Sequence, residues 1–183
     1  METFPILETE RLRLSVPQAA DIPTIVELAN NLNIAKYTQN LPYPYAEKDA
    51  IYWLNLAQQG MQNGSKLVLA IREKATNTFM GGIGLHINDR HHRAELGYWI
   101  GEPFWGKGYV TEAARAMMQY GFEELKLNRI QAHYMKQNIG SGRVMEKAGM
   151  QREGELVEHQ FKYGVYHTIV AYGITKTQYL VSV

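Results

Sequence analysis

A short strand is expected around Leu7 to Ser15, and the period then becomes helical. Ile22, Ile25, Val26, Ala29 and Leu32 fall on one helical face, with Asp21 and Pro23 supplying the helix start. Tyr37 to Tyr45 contains Pro42 and Pro44; each proline removes an N–H and restrains the residue before it, so a loop is expected. Helical spacing returns from Ala46 in Ala50, Ile51, Trp53, Leu54, Ala57 and Met61, and stops in the segment Gly60 to Gly64. Three strands are expected next: the apolar run Leu67 to Arg72, then Phe79 to Ile87 and Ala94 to Ile100. In the last of these, Leu96, Tyr98 and Ile100 oppose Glu95, Gly97 and Trp99, and the short polar links between strands predict a meander. From Val110 a wide apolar stripe of Ala113, Ala114, Met117, Met118, Gly121, Phe122 and Leu125 suits a helix lying on a sheet.

Arg129 to Met135 alternates again, and Ile139 to Ala148 is helical in spacing, closed by Gly149, the residue type that best tolerates the left-handed position after a helix. Gln151 to about Thr175 holds two strands joined as a hairpin across Tyr163-Gly164. The order is β, α, α, then β, β, β, then α, β, α, β, β. It predicts a mixed α/β fold, a twisted sheet of about seven strands flanked by about four helices. With no repeat or linker, residues 1–183 are expected to form one domain.

Composition narrows the function classes. Nineteen basic residues against 18 acidic ones leave a net charge of +1, which gives no field to concentrate nucleic acid or an anionic membrane. No apolar run approaches the ~20 residues that span a bilayer, and the first residues carry acids where a signal peptide carries bases, so a cytoplasmic protein is expected. There is no cysteine, which excludes disulfides, thiolate metal sites and cysteine nucleophiles. The six histidines lack a helical His-x-x-x-His pair, and no metal site is expected.

The sharpest local feature is Glu102-Pro-Phe-Trp-Gly106-Lys107-Gly108-Tyr109-Val110-Thr111-Glu, between a strand and the apolar-striped helix. Glycines flanking a lysine let the backbone approach a ligand, and the first helical N–H groups have no internal partner and lie at the positive end of the dipole. That combination suits a phosphate or diphosphate. A tight turn alone would also explain the two glycines. A Walker A loop does not fit, because Gly108 stands where Ser or Thr would hold magnesium, and a dinucleotide fingerprint fails at Thr111, where the third glycine belongs.

Three blocks in sequence, Glu95-Leu-Gly-Tyr-Trp-Ile, Pro103-Phe-Trp-Gly-Lys-Gly-Tyr-Val-Thr-Glu-Ala and Asn138-Ile-Gly-Ser-Gly-Arg-Val-Met-Glu-Lys-Ala-Gly-Met, resemble the signature segments of the RimJ/RimL-like branch of the GNAT N-acetyltransferase superfamily. The order of elements resembles that fold as well. The resemblance implies an acetyl-CoA-dependent enzyme acting on an amine acceptor, a small molecule or a protein N-terminus, with a homodimer favoured by analogy. It implies that backbone groups at Trp99, Ile100 and Gly101 pair with the pantetheine arm and that main-chain N–H groups from Gly106 through Thr111 hold the diphosphate, with Lys107 adding charge. It further implies that Asn138 and Ser141 face the pantetheine and departing sulfur, and that Lys147 or Arg143 reaches the 3′-phosphate.

On local sequence alone Asn138 and Ser141 read as helix caps; the resemblance makes Ser141 the candidate general acid. Glu95 is the candidate base, and His133 a second one. The alternative is a protein that binds acyl-CoA without transferring the acyl group. One departure bears on the acceptor: relatives place Asp four residues before a tyrosine where this chain has Thr168 before Tyr172.

Overall fold

A computed structural model describes residues 4–182. Eight strands form one sheet: β1 (Leu7–Glu8), β2 (Leu12–Ser15), β3 (Lys66–Glu73), β4 (Phe79–Asn88), β5 (Arg93–Ile100), β6 (Arg129–Met135), β7 (Gln151–Lys162) and β8 (Val165–Thr175). Their order across the sheet is β1-β2-β3-β4-β5-β6-β8-β7. Every neighbouring pair is antiparallel except β5 and β6, which are parallel and joined by a helical crossover. The helices are α1 (Ile22–Ala29), α2 (Leu32–Ala35), α3 (Glu47–Gln62), α4 (Tyr109–Glu123), α5 (Ile139–Lys147) and α6 (Lys176–Ser182).

The mixed α/β class is as the sequence predicts, with three differences of detail. The strand expected around Leu7 to Ser15 is not one strand: the chain reverses at Thr9, whose N–H donates to the Leu12 carbonyl at 3.0 Å while its hydroxyl accepts the Leu12 N–H at 2.9 Å. The first helix is likewise two. Asn30 leaves helical geometry and the Asn31 side chain accepts the Asn33 N–H at 2.8 Å, starting α2, so Leu32 drops out of the apolar face and is 48% exposed. The third addition is α6, beyond the last predicted strand.

The two faces of the sheet carry separate cores. On one, α4 and α5 pack Met117, Met118, Phe122 and Met145 against Leu85, Leu96, Ile100 and Ile130. On the other, α1 and α3 pack Ile25, Ala29 and Ala50 with Tyr45, Phe79, Trp53 and Trp99. Period-two alternation along β5 divides its side chains between these layers. Close approach is needed in the second layer: a Cβ on Gly82 would stand 2.9 Å from the Trp53 ring and 3.0 Å from the Trp99 indole nitrogen. The aromatic loop expected before α3 contributes Tyr45 to the core, and burial pushes its phenol up to about 12.

Two polar ties fix the ends of the α1/α3 layer. Arg72 on β3 grips Asp21, ahead of α1, with two hydrogen bonds of 2.9 and 2.6 Å, and both residues are buried at 6% and 8% exposure. Across the same side, the ammonium of Lys162 at the end of β7 donates to the carbonyls of Ala35 at 2.6 Å, Leu41 at 3.4 Å and Thr38. The β7–β8 hairpin turns through Tyr163 and Gly164, both at positive φ, as the primed two-residue turns require.

Removing one partner of the buried pair leaves the other charge without compensation, which costs about 3–5 kcal/mol. Asp21→Ala is therefore expected to lower the unfolding midpoint by roughly 6–20 °C in a thermal scan at this chain length. The double change Asp21→Leu with Arg72→Met is expected to recover most of that loss, because no buried charge remains.

Candidate active site

In the parallel pair β5–β6 the ladder opens after three residue pairs. Its register covers Arg93↔Arg129, Ala94↔Ile130 and Glu95↔Gln131, and stops there. Beyond that point β5 stays bonded to β4 as far as Ile100↔Gly81, and β6 to β8 as far as Met135↔Ile169. The two strands therefore splay into a wedge whose vertex lies at Glu95 and Gln131.

Strand alternation decides what faces the wedge. The Gly101 N–H donates to the Met80 carbonyl at 2.8 Å, so Gly101 and Trp99 direct their backbone toward β4. Ile100 and Tyr98 direct theirs into the wedge, where the Ile100 carbonyl accepts the Trp105 indole N–H at 2.9 Å. Of the three backbone positions singled out in the sequence, Ile100 faces the wedge. Trp99 instead places its ring against Trp53, centroids 6.4 Å apart.

At the mouth of the wedge the chain passes through Gly106 and Gly108, both at positive φ (74° and 81°), into α4. Gly108 is the N-cap and supplies no side-chain bond, so the N–H groups of Tyr109, Val110 and Thr111 in the first turn have no capping side chain. The left-handed backbone there needs glycine. Space is not the constraint, since a Cβ on Gly108 would meet only Arg11 Nη2, at 3.5 Å. Lys107 is exposed, with its ammonium 5.9 Å from the Phe104 ring centroid.

α5 begins on the other arm of the wedge. Asn138 is its N-cap, and its side chain accepts the Ser141 N–H at 3.3 Å. Ser141 caps nothing: its hydroxyl lies 2.9 Å from the Tyr98 hydroxyl, which also donates to the Ser141 carbonyl at 3.1 Å. This bond crosses the wedge from β5 to α5. Burial pushes the Tyr98 phenol well above its ordinary value, so Tyr98 stays neutral. Sequence reasoning passes over Tyr98; the available signal was a phenol on the helix-covered face of β5, where a buried hydroxyl needs a partner. Lys147 ends α5 about 9 Å along the axis from Ser141, and the structure does not bring the two together.

On the opposite face, at the vertex, Glu95 Oε1 lies 3.2 Å from His133 Nδ1. The His133 hydrogen bond holds the Glu95 carboxyl below its ordinary value, against the opposing effect of burial. His86, paired with Glu95 across the β4–β5 ladder, has its imidazole pulled down by burial and by Lys66. Thr168, the departure noted near the C-terminal end, accepts the Glu158 N–H at 3.4 Å, while the Tyr172 hydroxyl donates to Glu146 at 2.8 Å. Among the described residues no group of histidine and carboxylate side chains is arranged to hold a metal ion, and no helix is long and apolar enough to cross a membrane.

The fold is shared with known proteins. Residues 11–151 match the acetyltransferase (GNAT) domain family. Along 98% of its length the chain is 30% identical to the uncharacterized N-acetyltransferase p20 of Bacillus licheniformis, covering 99% of that protein. Spermidine N-acetyltransferase from Vibrio cholerae, solved with CoA and spermine, superposes with a TM-score of 0.80 at 25% identity over 94% of this chain and 99% of that one. RimL, a ribosomal L7/L12 alpha-N-protein acetyltransferase solved with coenzyme A, superposes at 0.86 over 93% and 98% of the two chains; at 19% identity that is a likeness of fold. With its family domain spanning most of the sequence, the chain belongs to the GNAT acetyltransferases.

Proposed function

We propose that this acetyltransferase takes its acetyl group from acetyl-CoA and passes it directly to a primary amine, of a protein N-terminus or of a small molecule. The observation that carries this reading is the wedge itself. One opening in the ladder is flanked by a glycine-capped helix, unpaired strand backbone and a bridged serine hydroxyl. The pantetheine arm pairs with Ile100 and Tyr98 as an added strand partner, and the N–H groups from Gly106 through Thr111 receive the diphosphate. Lys107 adds positive charge at that end, and Lys147 does so toward the 3′-phosphate.

In the reaction the amine nitrogen bonds to the thioester carbonyl carbon, the C–S bond breaks and the sulfur leaves as a thiolate. Ser141 gives the thiolate its proton and takes one back from solvent, with Tyr98 holding the hydroxyl in place. Glu95 accepts the amine proton directly or through water. An ordinary alkylammonium near pKa 10 is far too weak an acid for so acidic a carboxylate. The proton therefore moves once the C–N bond has made the nitrogen strongly acidic, and the amine must arrive neutral.

Thiol release from acetyl-CoA, measured across a panel of amines and N-terminal peptides, tests the reading. Release with at least one acceptor is expected. Coenzyme binding with no release across the panel would favour a protein that binds acyl-CoA without transferring it.

Two substitutions test the assigned roles. Ser141→Ala is expected to lower turnover about a hundredfold while acetyl-CoA affinity stays within about tenfold. For Glu95, a carboxyl-carbon NMR titration is expected to give a value below the ~4.3 of a free side chain, moving upward in His133→Phe because the largest lowering contact is gone. By the same sign, the stability Glu95 contributes is present above pH ~4.3 and is lost as pH falls through its lowered value.

A further inference from the structure

Arg11 lies in the turn between β1 and β2, far from the wedge in sequence, and reaches the glycine loop. Its Nη1 donates to the Lys107 carbonyl at 3.0 Å, and its guanidinium stands 4.7 Å from the Tyr109 ring centroid. Glu112, in the first turn of α4, holds it: Arg11 Nε donates to Oε2 at 2.7 Å and Nη2 lies 2.7 Å from the same oxygen. The other carboxylate oxygen accepts the Arg11 backbone N–H at 2.9 Å and the Thr9 hydroxyl at 2.5 Å. Burial pushes the Glu112 carboxyl up, and the bonds from Thr9 and Arg11 outweigh it, leaving it below its ordinary value.

The consequence follows from peptide geometry. In a trans peptide the C=O and the N–H of the next residue point in opposite directions. A guanidinium that holds the Lys107 carbonyl therefore turns the Gly108 N–H the other way, out of the loop on the side away from Arg11. With glycine on its C-terminal side that peptide has little intrinsic preference, because Gly108 can populate both signs of φ. An outside group must select its orientation, and Arg11 is bonded to the atom that does so. Its charge also stands directly behind the loop.

We propose that Arg11 is a positioning residue for the anionic end of the donor. Acting through the Lys107 carbonyl, it aims the Gly108 N–H at a diphosphate, with Glu112 and Thr9 fixing the guanidinium. This rests on the reading of the loop as the diphosphate site. Arg11 touches neither the acetyl group nor the amine, so its loss acts on donor binding.

The test compares two acetyl donors on the intact chain: acetyl-CoA, and acetyl-pantetheine, which has the same thioester arm and no diphosphate. In Arg11→Ala the ratio of kcat/KM for acetyl-CoA over acetyl-pantetheine is expected to fall about tenfold, the scale of one oriented charge-assisted hydrogen bond, mostly through KM. Arg11→Lys keeps the charge and can pair with Glu112, but lacks the fork needed to bond Glu112 and the Lys107 carbonyl together. It is expected to lower the ratio in the same direction, and it provides the measurement if Arg11→Ala does not fold. An unchanged ratio in folded variants, or equal loss with both donors, would overturn the role of Arg11 while leaving the diphosphate site intact. If the wild-type chain itself shows no preference for acetyl-CoA, the diphosphate reading fails, and this inference with it.

Discussion

Everything at the site is measured from the point where β5 and β6 part. Each strand keeps its outer neighbour, so the opening costs the sheet few bonds, yet it exposes two rows of backbone groups that prefer partners. Trp105 satisfies one of them at the Ile100 carbonyl. Parity along β5 then sorts the chemistry. Glu95, at the vertex, faces the α1/α3 layer with Trp99, and Tyr98, three residues on, faces the α4/α5 layer and Ser141. Under the proposed reaction, the proton leaves the amine on one face of the sheet and reaches the sulfur on the other. An odd offset along the strand, three residues from Glu95 to Tyr98, achieves this, and a one-residue slip in register would put both on the wrong faces.

The parts of the fold legible in the sequence were those with local causes. The stripe from Val110 to Leu125, the alternation in β5 and β6, the Tyr163-Gly164 turn and the glycine loop each follow from spacing or from backbone freedom that only certain residues supply. The parts that were not legible depend on distant partners or on competition between signals. Leu32 is in phase with the preceding helix, but the Asn31 side chain just before it offers the backbone a better alternative by starting a new helix. The turn at Thr9 contains neither glycine nor proline, and the group that holds it, Glu112, lies on another element.

The candidate site divides in the same way. Asn138 is the cap that its local sequence suggests, whereas Ser141, equally suited to capping, spends its hydroxyl on Tyr98. Nothing nearby in sequence distinguishes those two outcomes. Gly101 looked available to a ligand until the ladder register directed its N–H to Met80. Lys162 would read as an ordinary surface lysine, yet three carbonyls, one at the end of α2 and two just beyond it, converge on it and tie the β7–β8 hairpin to the far layer. Burial draws its ammonium below the ordinary lysine value, the cost of a tie made with carbonyls in place of a carboxylate.

The contact between Thr9 and Glu112 spans 103 residues of chain. Contacts of that separation close late, because the entropy of joining distant segments must be met before their bonds contribute. During synthesis at about 5–20 residues per second, the turn at Thr9 waits roughly 5–20 s before its carboxylate has even been made. The turn at Thr9 thus leaves the ribosome well before it can be fixed. In time as well as in space, the outer edge of the sheet is completed by the helix that carries the glycine loop.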